Sequence, residues 1–298
     1  MASLFPELEM KVFRAVVVRT SDLSPTLRRI VLGGPGLAGF ETTGCGDEYL
    51  RVILPPPGST EPILPTITDG VLDYGSVNLD LLRTYTVRRY DAAAGEVTLD
   101  FVLHEQGVAT TWARTASPGD VVGLNSPTAM YDAPADTSWQ VLVADTAGLP
   151  ALSRILEQTP PEVRNRVVVE VPDAGHRIEL PAHPRTEVTW IDAADGPSRL
   201  EQAVRALPAP TEPGGYLWVA GESRALRGVR KYLRRELGLP ATRYKAVGYW
   251  IENGEDWSAQ YAALDETTRG ELEALWATDR PEDEIEAEYD ERLTALGL

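Results

Sequence analysis

The sequence predicts an N-terminal antiparallel β-barrel or sandwich, an α/β domain with a parallel sheet after it, and an acidic helical C-terminal extension. Three observations predict this. Short β-branched segments separated by Gly/Pro clusters fill the first 130 residues or so. From Gln140 onward, continuous apolar runs alternate with helical stretches, the pattern of a parallel sheet covered on both faces. From Gly254 the chain turns helical and acidic.

The first unit opens on residues 11–20 (KVFRAVVVRT), followed by strands over 27–32 and 49–54. Residues 55–80 form a long irregular connection, of a length that is often functional. Residues 83–90 (RTYTVRRY) alternate aromatic or β-branched side chains with polar ones, and 95–104 (GEVTLDFVLH) shows the clearest period of two. Turn clusters at 33–36, 55–58 and 117–120 punctuate these strands. A linker at 133–138 (APADTS) marks the boundary, giving units of 1–135, 136–253 and 254–298. The second unit carries strands over 140–144, 166–171, 187–191, 216–220 and 244–249. Helices are expected over 149–158, 199–207 and 224–237. In the third, apolar residues from Trp257 to Leu293 give the faces of two helices.

The net charge of −17 is unevenly placed: residues 251–298 hold fifteen carboxylates against three arginines. The body is only mildly acidic, so binding to nucleic acid or to anionic lipid is disfavoured. No run of eighteen apolar residues occurs, so no membrane-spanning helix is expected. Residues 1–11 contain Glu7 and Glu9 and no apolar h-region, so no secretory leader is expected and the cytoplasm is the expected location. The single cysteine, Cys45, excludes an internal disulfide and a Cys-rich metal centre, and three histidines leave little for a metal site.

Four segments carry candidate chemistry. In Arg83-Thr84-Tyr85-Thr86 an aromatic ring on a strand can stack on a flavin, the neighbouring hydroxyl can bond to it, and Arg83 can clamp a phosphate. The same four residues equally make an ordinary exposed strand. At 104–112 (HEQGVATTW) a strand ends, Gly107 permits a turn, and a helix start could present amides to a pyrophosphate; a turn capped by threonine, beside a structural His104, reads as well. At 143–151 (VADTAGLPA) a strand-to-helix turn lies where open α/β sheets bind ligands, without the G-x-G-x-x-G fingerprint; a tight turn capped by Thr146 is the plain alternative. At 218–223 (WVAGES) Gly221 permits close backbone approach, and the helix after it carries Arg224, Arg227, Lys231, Arg234 and Arg235. That face is either solvated or the dock of the acidic tail.

Taken together, RTYTVR (83–88), DFVLHEQGVATTWA (100–113), PGDVVGLNSP (118–127), VADTAGLPALSRILE (143–157), WVAGESRALRGVRKYLRRELGLP (218–240) and GYW (248–250) resemble the siderophore-interacting protein family of FAD-dependent ferric-siderophore reductases, which are ferredoxin-reductase-like. The match spans 11 to about 250. The resemblance implies a barrel that binds FAD, an α/β domain that receives NADH or NADPH, and reduction of siderophore-held Fe(III) with release of Fe(II). It implies that Arg83, Tyr85 and Thr86 bind the flavin, with Tyr85 stacking and Thr86 near N5 at the reacting centre. Asp100, His104, Gly107, Ala109, Thr110 and Thr111 fall in its ribityl and pyrophosphate segment. Asp145, Thr146, Ala147, Leu149, Pro150 and Ala151 form its nicotinamide turn, Gly221 and Glu222 the second turn, and Tyr249 and Trp250 lie near the flavin. No general base is needed; the protein supplies placement and electrostatics.

Two departures from the family pattern matter. Basic residues often follow GYW, whereas Ile251-Glu252-Asn253-Gly254 stands here, so a highly charged triscatecholate is the less secure substrate; Arg51 can retain part of the substrate-binding role. Asp192 follows the strand 187–191 where an arginine would hold a 2′-phosphate; an acid there repels that phosphate and accepts from a ribose 2′-OH, which favours NADH, while the basic helix leaves NADPH open. The acidic tail is expected to pack over the nicotinamide domain or its entrance. The alternatives are a flavin reductase with a ferredoxin partner and a siderophore-binding protein without redox turnover. A monomer is the default expectation.

Overall fold

A computed structural model of the chain describes residues 5–105, 107–193, 196–208 and 212–298; residues 1–4 of the first expected unit and Gln106 of the 104–112 segment lie outside these. The elements in order are β1 (Val12–Ser24), β2 (Leu27–Gly33), β3 (Tyr49–Ile53), β4 (Thr66–Thr68), β5 (Val71–Asp73), β6 (Leu82–Thr86), β7 (Arg89–Asp91), β8 (Glu96–Val102), α1 (Val108–Thr115) and β9 (Val121–Asn125). There follow β10 (Trp139–Ala144), α2 (Leu149–Gln158), β11 (Arg164–Val171), β12 (Thr186–Asp192), α3 (Leu200–Ala206), β13 (Gly215–Glu222), α4 (Ser223–Lys231) and β14 (Tyr244–Trp250). The chain ends in α5 (Gly254–Ala262), α6 (Glu266–Leu275) and α7 (Glu282–Ala295).

Seven strands form an antiparallel sheet in the order β6-β3-β9-β1-β2-β8-β7. Its two edge strands are consecutive in the chain, because the strand expected over 83–90 breaks at Val87 and Arg88. The Val87 amide donates to Glu48 O and the Arg88 amide to Thr98 O, each at 2.9 Å. One half therefore stays with β3 while the other crosses to β8, and the barrel closes through the bend. Both halves keep a period of two, so periodicity does not show the break. Leu50, Val52, Leu99, Phe101 and Leu124 fill the interior, each contributing about 1.5–3 kcal/mol by burial.

The second sheet is wholly parallel, in the order β12-β11-β10-β13-β14. Leu142, Val167, Val169 and Trp218 face α2 and the barrel. Val141, Val143, Val168 and Val219 face the opposite layer, which α3 and α4 supply. Burial on both faces explains the unbroken apolar runs. Strand order reverses between β10 and β13, which opens a crevice at their C-terminal ends.

Two expectations differ from the structure. The helix expected over 224–237 is α4 followed by a π-helical turn, Tyr232–Glu236; such a turn shifts the side-chain phase without changing composition. The tail has three helices rather than two, because the Asp265 carboxylate caps α6 through the Thr268 amide (2.9 Å) and Pro281 starts α7. Leu272, Leu293 and Leu298 gather Trp257, Tyr261 and Tyr289 into a small core.

The tail docks on α4, so that helix does not present a free solvated face. Asp290 of α7 accepts from Arg230 Nε (2.7 Å) and Nη2 (2.8 Å), with Arg227 Nε at 3.7 Å, and Glu291 pairs with Arg235. Asp290 and Arg230 are largely buried, so Asp290→Ala is expected to lower stability by about 1–3 kcal/mol. Urea midpoints of the two proteins check this; equal midpoints would make the contact incidental. Among the described residues no helix is long and apolar enough to cross a membrane.

Candidate active site

The crevice at the ends of β10 and β13 is organised by Asp145. Its Oδ1 accepts from the Ala147 amide (2.8 Å) and the Gly148 amide (3.2 Å), and its Oδ2 from Trp250 Nε1 (2.6 Å). Asp145 thus closes the turn that the sequence assigned to Thr146, and α2 has no side-chain cap. Leu149, Pro150 and Ala151 are buried in the first turn of α2 and serve packing. Thr146 and Ala147 remain partly exposed. At the end of β13, a Cβ on Gly221 would lie 2.5 Å from Asp145 Oδ2, so only glycine fits. Glu222 caps α4 through the Ala225 amide (2.8 Å) and accepts from the Glu252 amide (3.2 Å).

Tyr249 and Trp250 are adjacent, and in a regular strand their side chains would take opposite faces. The β13–β14 register pairs Gly221 with Gly248 and Glu222 with Trp250, which leaves Tyr249 as a bulge. Trp250 reaches Asp145, while the Tyr249 ring packs edge-on against Trp218 (centroids 6.4 Å apart). The Tyr249 hydroxyl is buried without a hydrogen-bond partner among the described residues. The Thr86 side chain lies close enough to affect it, though short of hydrogen-bond geometry, and burial pushes the phenol well above the ordinary tyrosine range. The hydroxyl is therefore a protonated donor with no well-placed acceptor among the described residues.

Burial pushes Asp145 up to about 6 from an ordinary 3.8, against the bonds from Trp250, Gly148 and Ala147. The fold thus favours its protonated form. That contribution is complete below about 3.8 and is lost as pH rises through about 6. Asp145→Asn cannot ionise, so its stability relative to wild type is expected to rise across this window. Paired thermal melts from about pH 4 to 8 read the difference; parallel curves would contradict it.

On the barrel side, β6 pairs with β3 alone and keeps one backbone edge without a strand partner. The Tyr85 ring lies 4.0 Å from Phe101 (centroids), which in turn meets Trp112 at 5.6 Å. Arg83 donates to the Asp80 and Leu82 carbonyls (2.9 and 2.8 Å). Thr86 is buried on the opposite side of the strand, toward Tyr249.

Neither threonine caps α1. The Thr111 hydroxyl bonds back to Gly107 O (2.9 Å), and the buried Thr110 hydroxyl lies between Val102 O and the His104 amide (3.4 Å each). The N-cap is Gly107 at φ 122°, and a Cβ there would sit 2.8 Å from the His104 ring. Among the described residues, no side chain therefore caps the first amides of α1, including that of the buried Ala109. His104 is held below its ordinary value by partial burial, then by Arg114 and Arg83, and Arg114 Nη2 donates to His104 O (3.2 Å). An uncapped helix start among cations suits a diphosphate.

Not every expected residue joins this constellation. Asp100 turns to the outer face of β8, where Arg29 grips it bidentately (2.7 and 2.8 Å). Arg51 lies opposite Thr84 on β3, its guanidinium 5.3 Å over the Tyr74 ring. Asp192 is bound by Arg177 (2.7 and 2.9 Å), so the repulsion expected to favour NADH is offset by an adjacent cation. A groove of about 770 Å³ on the outer barrel face is rich in arginines, but Arg19, Arg29, Arg88 and Arg154 are each held by a carboxylate.

Four residues escaped the sequence reading. Asp47 Oδ2 accepts from Trp218 Nε1 (2.8 Å), and its Oδ1 from the Met130 amide (3.2 Å), the Tyr131 amide and Cys45 Sγ (3.3 Å). Glu48 Oε1 accepts from Arg154 Nη1 (2.6 Å). Burial, then Asp47, pushes the Cys45 thiol up to about 12. A lone arginine on an otherwise apolar helix, 149–156, was the available signal, since a buried arginine needs a partner.

The residues fit a flavin dinucleotide on three observations: the orphaned Tyr249 hydroxyl, the uncapped start of α1 behind Gly107, and the free edge of β6 beside Tyr85.

Comparison with known proteins agrees. A siderophore-interacting FAD-binding domain matches residues 16–131, and the siderophore-interacting protein description matches 137–253. Ferric vibriobactin reductase ViuB of Vibrio cholerae is 30% identical over 237 residues, covering 78% of this chain and 87% of that protein. An NADPH-dependent ferric-chelate reductase of Escherichia coli is 29% identical, covering 78% of this chain and 91% of that one. The crystal structure of a siderophore utilization protein from T. fusca superposes with a TM-score of 0.75 at 32% identity, over 84% of this chain and 96% of that chain.

Proposed function

This chain belongs to the siderophore-interacting protein family, and on that premise we propose that it reduces ferric siderophores with electrons from NAD(P)H carried through FAD. The observation that carries the reading is the buried Tyr249 hydroxyl, without a partner among the described residues, next to Trp250, which donates to Asp145 at the crevice. A bound FAD would supply the chemistry the chain lacks, namely hydride acceptance from the nucleotide and one-electron transfer to ferric iron.

The remaining work belongs to the chain's own groups. Tyr85 offers its ring for stacking, and Thr86 and Tyr249 offer hydroxyls to the polar edge of the flavin. The open amides of α1, with Arg83 and His104, hold the pyrophosphate. Thr146, Ala147 and Gly221 present backbone to the nicotinamide, and Trp250, tied to Asp145, screens the crevice from water. Arg51 supplies a cation to an anionic siderophore. Residues 1–135 act as the flavin unit and 136–253 as the nicotinamide unit, with 254–298 docked on the latter. With Arg177 against Asp192, either nucleotide is accommodated.

An anaerobic visible spectrum tests the reading. Flavin bands should bleach with NADH or NADPH and return on adding a ferric siderophore, with Fe(II) trapped by ferrozine. No flavin bands after incubation with FAD would overturn it in favour of a binding role. Bands that neither nucleotide bleaches would point to a protein electron donor.

A further inference from the structure

We propose that two consecutive buried carboxylates, Asp47 on Trp218 and Glu48 on Arg154, form a clasp that sets the nicotinamide crevice against the flavin strand; the inference rests on the function proposed above. The four are positioning residues and touch no substrate.

Each end of the clasp is tied to a site element. Trp218 lies on β13, three residues before Gly221. Arg154 lies in the second turn of α2, the helix that follows the Asp145 turn. The same Arg154 Nη1 that binds Glu48 also donates to Val87 O (2.6 Å), and Glu48 O accepts the Val87 amide (2.9 Å). Val87 follows Tyr85 and Thr86 directly. One guanidinium therefore spans from the helix behind the crevice to the exit of the flavin strand.

The clasp has no slack. Glu48 is fully buried, and its other oxygen accepts from the Thr43 amide (2.6 Å) and hydroxyl (2.5 Å). Gly46, beside the two acids, has no room for a Cβ against the α2 backbone at Ile155. An apolar contact would join the two sheets with comparable stability, since buried ion pairs rarely exceed well-packed hydrophobic residues. Directional bonds add a fixed distance and angle. Hydride transfer without a general base depends on that placement, and an error near 1 Å can cost about a hundredfold in rate.

The test uses Glu48→Met with Arg154→Met, which removes the pair without stranding a charge, and Trp218→Phe, which removes the Asp47 bond together with part of the ring that meets Tyr249. Three readouts are compared in the FAD-loaded proteins: FAD affinity by fluorescence titration, single-turnover bleaching by NADH and NADPH, and reoxidation of dithionite-reduced protein by a ferric siderophore. Bleaching should slow tenfold to a hundredfold, with FAD affinity within threefold and reoxidation unchanged. In the apoprotein, hydrogen exchange at the Val87 amide should accelerate in the Met pair. Bleaching at the wild-type rate overturns the clasp, as does a parallel loss of all three readouts, which marks a merely structural joint. A wild-type flavin that neither nucleotide bleaches overturns the function beneath it, and the clasp with it. If the Met pair does not fold, Trp218→Phe alone decides between the same outcomes.

Discussion

Arg154→Met, made alone, is expected to lower stability by about 3–5 kcal/mol, because it leaves the Glu48 carboxylate buried without its counter-charge. Glu48 is fully buried and Arg154 nearly so, so water does not replace the lost donor. The guanidinium also satisfies the Val87 carbonyl and reaches Thr42 Oγ1 at 3.2 Å, so the substitution orphans three acceptors on the barrel side of the joint. Scanning fluorimetry should show the melting temperature falling by roughly 10 °C. Pairing the change with Glu48→Met should restore most of the loss. A single variant that melts with the wild type would show that the ion pair is solvated in solution.

Gly221→Val should reduce nucleotide-driven flavin bleaching by about a hundredfold or more, with FAD content unchanged. A Cβ at this position would meet Asp145 Oδ2 at 2.5 Å and Asp145 Cγ at 2.8 Å. Asp145 would have to move, and with it the hydrogen bonds to Trp250, Ala147 and Gly148. The change lies on the sheet side of the joint, with no contact to Tyr85 or α1. Stopped-flow bleaching, beside the absorbance ratio of bound FAD to protein, separates the two effects. Unchanged bleaching would remove Gly221 from the crevice.

Much of this architecture was legible because each element repeats its own period. The helix over 149–158 was read at its observed bounds, since Pro150 sits in its first turn and no helix former follows Thr159 directly. The site was legible one segment at a time but not as an arrangement. No sequence pattern marks the bulge at Tyr249 that turns two neighbouring rings into one joint. The break at Val87 was hidden because both halves of the strand alternate correctly, and only barrel closure demands it. Asp47 and Glu48 follow Gly-Cys-Gly, a context that reads as a solvated turn; their burial depends on Trp218 and Arg154, more than a hundred residues away. The partner of Asp192 was hidden in the same way, since Arg177 comes from the preceding loop.

Cys45 gains a meaning from its place in that joint. Reduced flavin and ferrous iron both generate peroxide with oxygen, and a thiolate near them would be oxidised. This thiol is fully buried, donates to Asp47, and is pushed up to about 12. At neutral pH the fold thus disfavours the nucleophilic thiolate form. The chain's one sulfhydryl is therefore spared by its own chemistry, and an alkylating reagent should reach it only when the barrel and the parallel sheet come apart.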